Sequence, residues 1–118
     1  TSGSTYTTSK QISATNDTVI YQSERYNSNY RFNLSNGTYT VILKFAEIYS
    51  GCQYSNCRIF NVKLEGNQVL TNFDIFKEVG GYQALDKPFT IIVNDGILNI
   101  DMITIKNSPK ISGIEITR

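Results

Sequence analysis

At 118 residues the chain has the length of a single domain and enough material to bury a core without several disulfide or metal staples. Lys and Arg number 11 against 10 Asp and Glu, and the net charge of +1 gives no long-range field to gather nucleic acid or an anionic membrane surface. Histidine is absent, which removes the usual general base of serine and cysteine hydrolases and the commonest metal ligand.

The chain opens on the polar stretch Thr1-Ser2-Gly3-Ser4-Thr5, which has neither the basic nor the apolar region of a signal peptide. No apolar run approaches the roughly 20 residues needed to span a bilayer, so membrane insertion is not expected and the chain reads as soluble, with any targeting segment removed. Asn16-Asp17-Thr18, Asn33-Leu34-Ser35 and Asn36-Gly37-Thr38 match the N-glycosylation acceptor pattern. Tyr6, in Ser/Thr-rich surroundings, and the segment from Tyr21 to Tyr30 lie outside any clear periodicity.

From Tyr30 onward the pattern is strict alternation, with Tyr30, Phe32 and Leu34 on one parity and Tyr39, Val41, Leu43 and Phe45 following Asn36-Gly37. Asn-Gly supplies the positive φ angles of a tight turn, so this reads as a β-hairpin. Ile48 to Arg58 breaks the alternation and holds Tyr49, Tyr54, Cys52 and Cys57. Five residues apart, the two cysteines can close a small loop disulfide or stay as free thiols. Phe60, Val62 and Leu64 then lead to a turn at Glu65-Gly66-Asn67, and Phe73 to Val79 has room for one short helical turn. Asp74 is expected to accept backbone hydrogen bonds there. Phe89, Ile91 and Val93 run through Asn94-Asp95-Gly96 into Leu98, Ile100 and Met102, another hairpin pattern, and Ile111 to Ile116 closes the chain after Pro109.

Strands at about 8 to 12 residue spacing with turn signals between them predict an all-β fold of two packed antiparallel sheets. Phe32, Leu34, Val41, Leu43, Phe45, Phe60, Val62, Leu64, Phe89, Ile91, Leu98, Ile100 and Ile114 are the expected core.

The chemistry on offer is narrow. Two cysteines without histidine make a poor zinc site, and there is neither a Gly-rich phosphate loop nor an EF-hand loop, so no metal or cofactor is expected. Glu24, Glu47 and Asp74 are the candidates for a glycosidase carboxylate pair, but hydrogen bonds to loop backbone or ion pairs with Arg25 or Arg58 account for them more simply. The informative residue type is tyrosine, of which there are 8 with no tryptophan. A tyrosine ring stacks on the apolar face of a sugar while its hydroxyl bonds a ring substituent. Tyr30 and Tyr39 sit in alternating strands and Tyr21 behind Val19 and Ile20, where packing explains them; Tyr82 follows Gly80-Gly81 and fits either role; Tyr6, Tyr26, Tyr49 and Tyr54 fall outside the alternation.

Tyr21-Gln22-Ser23-Glu24-Arg25-Tyr26, Asn36 to Val41, Phe45-Ala46-Glu47-Ile48-Tyr49, Phe73-Asp74-Ile75 and Asn107 to Ile116, in that order, resemble the malectin and malectin-like carbohydrate-binding family from Gly3 onward. The resemblance implies a jelly-roll-like β-sandwich lectin fold and a non-catalytic, carbohydrate-binding module, whose animal members recognise α-linked glucose disaccharides. It places the family's aromatic contacts on Tyr6, Tyr26 and Tyr49, with Glu24 and Asn107 as polar contacts. Ser50 stands where sugar-binding animal members carry an aromatic residue, and Asn107 replaces a carboxylate, so affinity is expected to be weak and the preferred sugar to differ from diglucose. Tyr54 is the candidate for a substitute ring. The family's usual Asn-Ala-Gly-Gly strand upstream of Tyr6 is missing, so residues 1–118 are expected to be one domain cut from a longer protein or a sandwich with one fewer strand. Carbohydrate is the expected partner, in the secretory pathway or outside the cell, with the cytoplasm, as part of a larger protein, the other setting; a module that kept the fold for protein interaction is the alternative function.

Overall fold

The computed structural model describes residues 4–26 and 29–118. Thr1, Ser2 and Gly3 of the polar opening, and Asn27 and Ser28 after Tyr26, lie outside the described residues. The elements in order are β1 (Ser4–Thr7), α1 (Thr18–Tyr21), β2 (Ser23–Tyr26), β3 (Tyr30–Asn33), β4 (Gly37–Phe45), β5 (Ile59–Leu64), β6 (Asn67–Phe73), α2 (Ile75–Val79), β7 (Leu85–Val93), β8 (Ile97–Lys106), β9 (Lys110–Ile111) and β10 (Gly113–Thr117).

Two antiparallel sheets form the sandwich: a three-stranded one in the order β10-β4-β7 and a four-stranded one in the order β3-β8-β5-β6. Because successive side chains point to opposite faces, the alternating residues of each strand converge on one interior. Val41, Leu43 and Phe45 of β4 meet Phe60, Val62 and Leu64 of β5 and Leu98 and Ile100 of β8, all essentially without solvent exposure. Phe45, Phe60 and Phe73 pack ring against ring at 4.8 to 6.0 Å. Every residue expected in the core belongs to this cluster, with Phe32, Leu34, Phe89, Ile91 and Ile114 half-buried at its margin.

The pairing of strands differs from the alternation reading in two places. β3 pairs with β8 and β4 with β7, so Asn36-Gly37 and Asn94-Asp95-Gly96 are not hairpin turns but crossings from one sheet to the other. The crossings lie side by side: Leu34 N donates to Gly96 O at 3.0 Å and Gly96 N to Asn36 Oδ1 at 2.9 Å. Of the turns read from sequence, the Glu65-Gly66 turn does join neighbouring strands of one sheet, and there both residues take left-handed φ values of 53° and 78°, as a tight two-residue turn requires. The expected closing strand is also split. Lys110–Ile111 pairs with β2, and after Ser112 the chain pairs with β4 as β10. Asp74 caps α2, its Oδ1 accepting from Lys77 N at 3.1 Å. No described helix is long and apolar enough to cross a membrane.

Candidate functional site

A third, small sheet in the order β1-β2-β9 lies at the end of the sandwich where β4 finishes. Its register decides which side chains gather. Tyr6 is paired with Glu24, and Tyr26 with Lys110. Directly paired residues share a face, as do residues two apart on one strand, so Tyr6, Glu24, Tyr26 and Lys110 all point the same way. Facing them, the chain leaves β4 through Ala46 and Ile48, which are anchored with Ile12 and Tyr21 in a second apolar cluster, and then emerges at the exposed Tyr49. A single 3₁₀ turn follows at Ser50–Cys52.

Between these walls is a cleft of about 490 Å³, inside the roughly 300–1,000 Å³ range of small-molecule sites. Tyr6, Tyr26, Tyr49 and Tyr54 line it together with Glu24, Arg58 and Asn107. Tyr6 and Tyr49 meet edge to face, with centroids 5.5 Å apart and planes at 85°. Among the described residues no protein group hydrogen-bonds the hydroxyls of these four tyrosines, which leaves apolar ring faces and free hydroxyls side by side in one concavity.

The floor is a buried chain of alternating charge. Lys110 Nζ lies 2.5 Å from Glu24 Oε1 and 2.6 Å from Glu47 Oε2, and Arg58 Nε lies 2.8 Å from Glu47 Oε1. Arg58 Nη1 also donates to the carbonyl of Ser108 at 2.5 Å. All four side chains are nearly inaccessible, so each charge depends on its neighbours for the hydration it has lost. Burial pushes the Glu24 carboxyl above its ordinary range, and the attraction of Lys110 opposes that shift without cancelling it.

One wall is the loop closed by the Cys52–Cys57 disulfide, the first of the two states open to the cysteines in the sequence. Gln53 Nε2 donates to the carbonyls of Glu47 and Tyr49, both at 3.0 Å, and Asn56 N donates to Asp74 Oδ2 at 2.6 Å. Asn107, with a left-handed φ of 60°, directs its amide Nδ2 to the carbonyl of Cys57 at 2.6 Å.

Of the residues singled out from sequence, Tyr6, Tyr26, Tyr49, Glu24 and Asn107 come together in the cleft. Ser50 does not: it starts the 3₁₀ turn exposed, and Gly51 and Cys52 line the cleft instead. Tyr21 is buried, its hydroxyl donating to Asp86, and Tyr39 is buried with its hydroxyl on the carbonyl of Ser35 at 2.6 Å. Tyr82 packs against the second apolar cluster. The ionised candidates are all engaged: Glu24 and Glu47 share Lys110, Glu47 takes Arg58, and Asp74 holds α2 and the disulfide loop. Sequence reasoning missed Lys110. A lysine between Pro109 and Ile111 carries no local sign of burial.

Fold and cleft define a β-sandwich with an aromatic-lined cleft at one end. The family model for the malectin domain matches residues 1–115, and the chain belongs to this carbohydrate-binding family. Human malectin is 35% identical over 88 residues, which is 71% of this chain and 30% of the human protein. Among solved structures, a β-glucuronidase of Bacteroides uniformis superposes with a TM-score of 0.89 at 25% identity, covering 98% of this chain and 14% of the enzyme chain. A complex of the plant peptide RALF23 with FER and LLG2 superposes with a TM-score of 0.82 at 20% identity, covering 97% of this chain and 38% of that one, which speaks to fold alone. The chain thus spans less than a third of the malectin relative and a smaller part of the enzyme.

Proposed function

We propose that the chain is a non-catalytic module that binds a glycan in the tyrosine-lined cleft. The observation that carries this reading is the convergence of Tyr6, Tyr26 and Tyr49, from three separate segments, on one cleft with their hydroxyls unclaimed among the described residues. Stacking on sugar C–H faces and hydroxyl-to-hydroxyl bonds are what such a surface supplies. Glu24, which lines the cleft, provides an acceptor. A catalytic role is disfavoured because glycoside hydrolysis needs two carboxyl groups free to exchange protons, while Glu24 and Glu47 are tied together through Lys110. The Cys52–Cys57 disulfide favours an oxidising setting, in the secretory pathway or outside the cell.

A glycan array spanning glucosides, galactosides and plant and microbial polysaccharides tests the reading. Retention of a glycan that Tyr49→Ala weakens by about 0.5 to 3 kcal/mol, with the melting temperature nearly unchanged, is the expected result. Retention of nothing across the array would replace it with protein interaction.

A further inference from the structure

The cleft has a wall that the tyrosines of the small sheet do not explain. Tyr54 stands on the Cys52–Cys57 loop with 56% of its surface exposed, lining the cleft, and among the described residues it has no ring partner and no hydrogen bond. The loop around it is held on every side. The disulfide closes its base, Cys52 N donates to Tyr49 O at 3.0 Å, Gln53 reaches back to Glu47 and Tyr49, and Asp74 takes the amide of Asn56. A ring left unpartnered on a frame fixed in this way has the form of a contact organised before its ligand arrives, which lowers the entropy lost on binding.

Asn107 belongs to that frame. Its Nδ2 is committed to the Cys57 carbonyl, a bond that a carboxylate in the same place has no proton to make and would instead oppose with a second oxygen. The amide at 107 is therefore matched to the loop.

We propose that the Cys52–Cys57 loop is an outer subsite of the cleft, where Tyr54 stacks on the sugar next to the one held by Tyr6, Tyr26 and Tyr49, with Asn107 as the positioning residue that clamps the loop. This rests on the reading of the cleft as a glycan site. The oligosaccharide retained most strongly on the array, whole and shortened by one sugar at either end, is titrated into the wild type, Tyr54→Ala, Tyr54→Phe, Asn107→Asp and the Tyr54→Ala/Asn107→Asp double variant. Tyr54→Ala is expected to weaken the whole glycan about 3- to 10-fold while leaving one of the shortened forms unchanged, and Tyr54→Phe to keep most of the affinity. Asn107→Asp should reproduce the profile of Tyr54→Ala, and the double variant should lose no more than the larger single loss. Tyr54→Ala decides the subsite: equal weakening of all three glycans, or of none, overturns it while the glycan site stands. Additive losses in the double variant overturn the positioning role of Asn107. An array that retains no glycan removes both the subsite and the site it extends.

Discussion

The interior of the sandwich and the end that carries the cleft are held by different forces. Inside, contact is apolar and β4, β5, β7 and β8 contribute by simple alternation; Val41, Leu43, Phe45 and Phe60 are fully buried against other hydrophobic side chains. At the cleft, Glu24, Glu47, Arg58 and Lys110 are buried as ions, and a disulfide with a set of side-chain to backbone bonds does what packing does elsewhere. Apolar packing is non-directional and accepts swaps of similar volume, whereas a buried ion tolerates almost no partner but its own. The cleft end is thus fixed in geometry by the interactions most sensitive to substitution and to pH.

Lys110→Ala gives the largest expected effect, because it leaves two carboxylates facing each other without their shared cation. Stability should fall by about 3 to 5 kcal/mol in denaturant titrations. The loss should shrink as the solution is acidified, since Glu24, whose carboxyl burial already pushes upward, then takes up a proton. Leu43→Ala, at a site with 0% exposure, should destabilise by about 2 to 5 kcal/mol with no dependence on pH. A parallel pH slope in the two variants would abolish the distinction between the regions. Asp74→Asn, which weakens the cap on α2 and the bond to Asn56, should lower stability by about 1 to 3 kcal/mol.

Glu24→Gln has the smallest expected effect and the most diagnostic sign. Burial raises the folded-state carboxyl above its ordinary value of 4.5, so the folded protein holds this proton more tightly than the unfolded chain does. The contribution is complete below 4.5 and is lost as the pH rises through the raised value. Melting curves between about pH 4 and 8 should therefore show the wild type losing ground to Glu24→Gln as pH rises. A wild type that gains on the variant over that range would mean that Lys110 outweighs burial.

Alternation made the faces of the strands legible but not their neighbours. Residues two apart share a face whatever strand lies alongside, so Phe32, Val41 and Leu98 could be assigned to the core while the turns before β4 and before β8 were read as hairpins. The difference lies in backbone angles that residue types alone do not fix. Glu65 and Gly66 take left-handed values in succession, whereas at the crossings a single glycine does so, Gly96 at 76°, and Gly37 lies at 159°. At the site, Tyr6, Tyr26 and Tyr49 could be singled out because they break the alternation and because the family resemblance falls on them. Arg58 is a candidate ion partner in the sequence and pairs with Glu47, but Lys110 could not be placed, since its pairs join positions 63 and 86 residues apart. The burial of an ion is set by its distant partners, and no local pattern encodes it.

The two crossings at Asn36 and Asn94 stand at the opposite pole from the cleft, separated from it by the 9 residues of β4, a span of about 30 Å at 3.3 Å per residue. Asn33 and Asn36, each in an acceptor sequence for N-glycosylation, are exposed at that pole. An N-glycan attached there would be carried on the side facing away from the tyrosines.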